Sequence, residues 1–250
     1  PGLLATGFVG GVDVSIGVLA LLVVEHETGS MVLGALAFST GFIALMMGKS
    51  ELFTENYLVP VAAVVAHKAT MWSLWRLWIG TAAMNLVGGW VFTWLIMAAL
   101  PRLTSTAVKV AEFYPKLGLG WAAFALGIVG GAVITVMTWM EHGSDTQLGR
   151  IVAAVVAAFL LAVSPLNHVI VVSLEMFAAL HVGAPFGYAD WLGVAAWATL
   201  ANMVGGLLLV TLLRFVQVGA GDISAHREQS REESAPDEDA DTPVATRSGS

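Results

Sequence analysis

Cysteine is absent from the 250-residue chain. No disulfide, thiolate metal site or cysteine nucleophile can therefore form in it. Charge is also scarce, at 12% of residues, where ordinary soluble domains carry about 25%. The histidines, at positions 26, 67, 142, 168, 181 and 226, are scattered without metal-ligand spacing, and no Ser/Lys or Asp/Asp arrangement lies within an apolar stretch. No metal, no cofactor and no enzymatic activity are expected on these grounds. What the chain has in plenty is apolar sequence. Hydrophobic residues make up 57%, the mean hydropathy is +0.80, and stretches near the ~20 residues that cross a bilayer recur. The expected fold class is an all-α polytopic membrane protein, and soluble-enzyme and nucleic-acid-binding readings are set aside. Net charge is −7, but residues 219–250 hold eight acidic and three basic side chains, or −5, leaving −2 for the rest. The acidity therefore says nothing of a substrate. The chain opens at Pro1 and not at Met, which reads as a processed or missing start.

Residues 48–56 read G-K-S-E-L-F-T-E-N and place Lys49, Glu51 and Glu55 inside an otherwise apolar run over 31–66. A charge at the centre of a lone spanning helix costs about 2.5–3.5 kcal/mol even on the lenient insertion scale. Three of them cannot face lipid. The expectation is a helix broken at membrane depth, its irregular backbone buried in protein or lining a wet cavity. Transporters put binding sites at such breaks.

In chain order, the first span covers 1–24 and is rich in glycine, with Asp13 inside it expected to bond a neighbour. Glu25-His26-Glu27 reads as an acidic loop, and the broken second span follows as 31–47 and 57–66. His67, Lys68 and Arg76 beside Trp72, Trp75 and Trp78 form an interfacial anchor signature. The third span is 75–100, a mixed connector with Arg102, Lys109 and Lys116 fills 101–116, and the fourth span is 117–140. A fifth span starts near Gln147, breaks at Ser164-Pro165-Leu166-Asn167-His168 and resumes over 169–180; the sixth is 191–218. Residues 1–218 thus form a six-helix transmembrane domain, and 219–250 are expected to be a disordered acidic cytoplasmic tail. With the N-terminus inside, Lys68, Arg76, Arg150 and Arg214 are cytoplasmic against Arg102, Lys109 and Lys116 outside. That majority, with six spans, places both termini in the cytoplasm; the membrane expected is the inner (plasma) membrane.

The chain also repeats itself. Asn85-Leu-Val-Gly-Gly in the third span matches Asn202-Met-Val-Gly-Gly in the sixth, an offset of 202 − 85 = 117, which carries Glu51 onto His168. Two halves of three spans, each with a broken middle span, run in opposite senses. The architecture expected is an inverted 3+3 repeat, aquaporin-like, with both breaks meeting near the midplane.

Glu51-Leu52-Phe53-Thr54 in a broken second span, with a histidine in the matching break of the fifth, resembles the formate/nitrite transporter family. The resemblance covers about residues 3–218, and the G-K-S-E-L-F-T-E-N form looks like a divergent bacterial branch. It implies a six-helix protomer in a homopentamer with one pore per protomer, carrying a small anion such as formate or nitrite. It further implies substrate contacts at Thr54 and His168, apolar constrictions at Phe38, Phe42, Leu52 and Leu161, and a vestibule lysine at Lys116. The chain departs from the family pattern at Asn167, where glutamate is usual, at Val172, where asparagine is usual, and at Gly130 or Gly131 in the fourth span.

An apolar constriction rejects an ion far more strongly than its neutral acid, because the ion must shed its hydration. A lysine at the vestibule would gather the anion, and His168 is the side chain suited to exchange a proton near neutral pH. The reading is a channel or proton-coupled carrier for a small weak-acid anion, with protons and the lipid bilayer as its other partners. Lys49, Glu51 and Glu55 are expected to hold the loop, Asn85 and Asn202 to bond the two breaks, and Glu175 to partner Lys49 or a backbone amide. The competing readings are a neutral-solute facilitator of the water/glycerol type, an ammonia or hydrosulfide path, and a membrane scaffold that recruits a partner through its acidic tail.

Overall fold

The computed structural model describes residues 2–217, so the expected tail over 219–250 lies outside the described residues. Every element among these is helical, and five helices are long and apolar enough to cross a membrane. α1 is Gly2–Thr28 and α2 is Met31–Gly48. After the first break come a 3-10 turn at Phe53–Tyr57 and the short α3, Val59–Val65. α4, Met71–Ala99, leads through a 3-10 turn at Pro101–Leu103 into two short helices, α5 (Thr104–Ala111) and α6 (Phe113–Leu117). α7 is Trp121–His142, α8 is Gln147–Val163, α9 is Val169–Leu180 and α10 is Tyr188–Met203, which runs on as a π-helix at Val204–Thr211. Residues 212–217 form a further helical segment.

Local chemistry explains the starts. Ser30, Thr70 and Thr146 are extended residues whose hydroxyls accept from the backbone N–H groups of Leu33, Ser73 and Gly149, so each fills an N-terminal donor of the helix it opens. Glu25, His26 and Glu27 do not form the expected loop. α1 continues through them because Glu25 pairs with Lys109 at 3.0 Å and Glu27 with Arg102 on the connector.

Small residues let the long helices cross closely. A Cβ on Gly11 would strike Asn85 O, and one on Gly88 would strike Phe8 O, so α1 and α4 meet backbone to backbone. Gly131 against Asn202 O and Gly205 against Ile128 O repeat this arrangement between α7 and the run that continues α10. The core between them is apolar and includes Val14, Val18, Leu21, Phe38, Phe42, Ile134, Leu161 and Ile170.

Candidate functional site

Two breaks in the helices meet at the site. α2 ends at Gly48, where Lys49 takes the left-handed backbone conformation (φ 53°) and turns the chain away. α8 ends at Val163 and α9 begins after His168, leaving Ser164–Asn167 irregular. Backbone polar groups freed in this way need partners inside the protein. Asn85 supplies them at the first break: Oδ1 accepts from Phe53 N (2.9 Å), and Nδ2 donates to Glu51 O and to Gly7 O (2.7 Å each). Asn202 does the same at the second: Oδ1 accepts from Val169 N (2.9 Å), and Nδ2 donates to Asn167 O (3.0 Å) and Gly127 O (2.8 Å). Both asparagines are fully buried. Their partners shift the expected correspondence by one residue. Since Phe53 N answers to Val169 N and Glu51 O to Asn167 O, the residue opposite His168 is Leu52 and not Glu51.

Thr54 and His168 come together between the breaks, with Thr54 Oγ1 2.7 Å from His168 Nε2 and both residues at 0% exposure. His168 caps α9, its Nδ1 accepting from Val171 N at 3.4 Å. An accepting Nδ1 leaves the proton of the neutral ring on Nε2, which donates to the threonine. The pair can therefore offer an N–H and an O–H to a ligand that separates them.

One face of α2 runs from one cavity to another. Met31, Phe38, Phe42 and Leu45 are spaced seven, four and three residues apart, which puts them on a single helix face. Met31 lines a cavity of about 180 Å³ whose polar walls are Glu25, Lys109, Tyr114 and Glu175. Leu45 lines another of about 310 Å³, walled by Lys49, Ser50, Glu55, Glu141, His142 and Arg150. Fourteen residues of helix separate Met31 from Leu45, about 21 Å. Phe38 and Phe42 lie between, fully buried, with ring centroids 5.6 Å apart. Leu52 and Leu161 are buried as well. On α8, Arg150 lines one cavity and Ala162 the other, with Leu161 three turns beyond Arg150 on its face.

Several expected roles are revised by these positions. Glu175 does not partner Lys49 or a backbone amide: its Oε2 accepts from the Tyr114 hydroxyl at 2.7 Å. α9 carries it to the Lys109 cavity, whereas Lys49 lines the Arg150 cavity at the far end of α2. Lys116 does not line this cavity; its Nζ sits 2.7 Å from Oε1 of Glu112, the residue that caps α6, and the cavity's lysine is Lys109. Glu51 does brace its loop, accepting from Asn56 Nδ2 at 3.2 Å. The Glu55 carboxyl group meets the backbone of Leu52 in the same loop, while its Oε1 has no partner among the described residues and the side chain lines the Arg150 cavity. Asp13 accepts from Ser50 Oγ at 2.6 Å and so ties α1 to the break. Trp78, expected at the membrane interface, is 5% exposed and donates Nε1 to Asn56 O at 3.0 Å. Burial and the neighbouring Glu175 carboxylate hold the Tyr114 hydroxyl well above its usual range, so it stays a donor. Tyr114 carried no sequence signal beyond being a polar group beside an apolar run, and Glu25 only that of an acidic loop. Among the described residues there is no cluster of side chains that would hold a metal ion.

The sequence model of the formate/nitrite transporter family matches residues 1–216. The chain belongs to the formate/nitrite transporter family. Within it, the chain is similar to the inner membrane protein YfdC of Escherichia coli (strain K12), 27% identical over 221 residues that cover 84% of this chain and 68% of that protein. It is also similar to the formate channel BtFdhC of Bacillus thuringiensis, 25% identical over 224 residues, 82% of this chain and 83% of that one. Among solved structures, a pentameric formate channel with formate bound superposes with a TM-score of 0.72 over 87% of this chain and 96% of that one, at 18% identity. At that identity the likeness concerns the fold. It agrees with an all-helical transporter architecture.

Proposed function

We propose that the chain moves a small monovalent weak-acid anion of the formate or nitrite kind across the inner membrane, as a channel or proton-coupled carrier. The observation that carries this reading is the single α2 face that joins two polar cavities, with Phe38 and Phe42 between them and the buried Thr54–His168 pair beside the breaks. Lysine and arginine in the cavities meet a hydrated anion. The phenylalanines, Leu52 and Leu161 make a dry stretch that passes the neutral acid far more readily than the ion. Thr54 and His168 hold the substrate in that stretch by replacing their mutual hydrogen bond with two to the ligand.

Six crossings serve this reading, the fifth made of α8 and α9 together, in an inverted 3+3 repeat with broken second and fifth spans. The atom-for-atom likeness of the Asn85 and Asn202 clamps supports that arrangement. A homopentamer with cytoplasmic termini and no enzymatic activity fits the family and the formate channel that shares the fold. A second reading, a facilitator of neutral solutes, is favoured by one feature: each cavity contains two carboxylates, Glu25 with Glu175 and Glu55 with Glu141.

The test is stopped-flow uptake into proteoliposomes of formate, nitrite, lactate, ammonium and glycerol, at about pH 5.5 and about pH 7.5, on either side of the imidazole range. Acid-favoured anion flux that falls in His168→Asn supports the proposal. Flux of glycerol or ammonia, indifferent to His168, would replace it with the neutral-solute reading.

A further inference from the structure

The Lys109 cavity is built unlike the mouth of a pathway that only attracts anions. Its lysine is already bound, with Nζ 3.0 Å from Glu25 Oε1, and a second carboxylate, Glu175, lines the same space. Two carboxylates therefore face one ammonium. Glu25 is 3% exposed, and its Oε2 has no hydrogen-bond partner among the described residues. Glu175 is 4% exposed and accepts from Tyr114 through Oε2. It lies seven residues beyond His168 on α9, two turns along the same face and about 10 Å away. Pro165, three residues before His168, forms part of the cavity wall, so the space abuts the second break. The charged and titratable groups around Glu175 are Glu25 from α1, Lys109 from α5 and Tyr114 from α6. α4 and α10 also pack on α9 and place no ionisable side chain in the lining.

The central histidine is poorly arranged to be the proton's source. Nδ1 accepts the Val171 N–H at the start of α9, and a proton added there would set two donors against each other at the positive end of a helix. The proton that neutralises the substrate must therefore come from another group. We propose that Glu175 is the proton-binding site of the transport cycle, giving its proton to the substrate anion in the Lys109 cavity before the substrate reaches Thr54 and His168. This rests on the anion-transport reading above. In the step itself, the Glu175 O–H bond breaks and an O–H bond forms on the substrate oxygen. The negative charge passes from substrate to Glu175, and no atom changes oxidation state. The neutral acid crosses the apolar stretch and releases its proton to water beyond it. Glu175 is reprotonated from hydronium on the aqueous side, so that one proton travels with each anion.

The assignment is tested in proteoliposomes of the full chain, following formate influx and internal acidification together, with protein-free vesicles subtracted. Wild-type protein is expected to show one proton per formate and influx that rises as the outer pH falls. Glu175→Gln should lose about tenfold or more of the acid-stimulated influx, whereas Glu175→Asp, which keeps a carboxyl, should stay within about threefold of wild type. Tyr114→Phe keeps the carboxyl and removes the hydrogen bond that favours its ionised form. The midpoint of the influx profile should then move to higher pH by about one unit, which simple loss of packing would not do. Wild-type influx and an unchanged pH profile in Glu175→Gln would overturn the assignment and leave the transport reading standing. No anion flux in the wild-type protein would overturn both.

Discussion

Replacing Asn202 by alanine tests the idea that one side chain sets the geometry of the second break. The substitution strips partners from Val169 N, Asn167 O and Gly127 O. Asn202 is 0% exposed, so water does not reach the vacated position without rearrangement. Each buried backbone group left unmade costs about 1–3 kcal/mol. Allowing for local relaxation, the loss for three groups should be about 4 kcal/mol. For a domain of this size, each kcal/mol shifts Tm by about 2–4 °C, so unfolding of the detergent-solubilised protein should move down by about 8–16 °C. Asn202→Asp is the sharper variant. It retains the acceptor for Val169 N but turns an oxygen toward two carbonyls, and it should be at least as damaging. The measurement is loss of the folded peak in fluorescence-detected size-exclusion chromatography over a temperature series, with formate influx assayed on the same preparations. Asn85→Ala breaks the same number of bonds at the first break and should cost the same. A fall of less than about 3 °C in either alanine variant, with influx intact, would refute the reasoning.

Other perturbations follow from the same geometry. Thr54→Val removes the hydroxyl 2.7 Å from His168 Nε2 and should cut formate influx by about tenfold, while Thr54→Ser restores most of it. Phe42→Ala should widen the dry stretch and raise lactate influx relative to formate, at a stability cost of about 3–5 kcal/mol read as a lower Tm. Gly17→Val should lower the yield of folded protein, because even a Cβ there would lie 2.6 Å from Phe38 O, and the displaced ring should lower anion selectivity. Deleting residues 219–250 should leave influx unchanged; loss of influx on deletion would favour a function that depends on the tail.

The breaks were legible because charge and proline inside apolar runs have few physical explanations. Lys49, Glu51 and Glu55 announce the first, and Pro165 with Asn167 and His168 the second. Asn85 and Asn202 were legible as loop partners through a repeated pentapeptide. Which carboxylate meets which partner was not legible. Glu175 and Tyr114 are 61 residues apart, and only the path of α5 and α6 across the end of α9 brings them within a hydrogen bond. The same applies to the choice of Lys109 over Lys116. Both sit in one connector, and the winding of two short helices sets one against Glu25 at the cavity and pairs the other with Glu112. Trp78 was misplaced because aromatic residues near basic ones carry the same sequence signature whether they face headgroups or brace a loop.

The two asparagine clamps have a consequence for how the protein is made. Each break is held from within its own stretch of chain: the first by Asn85 with Gly7, the second by Asn202 with Gly127. The amino-terminal half can therefore set its loop in the bilayer before the ribosome has finished the other half. Thr54 and His168 belong to different halves, so neither half alone holds the pair. A chain severed between α6 and α7 and expressed as two pieces would carry two correctly shaped half-sites that remain silent until they find each other.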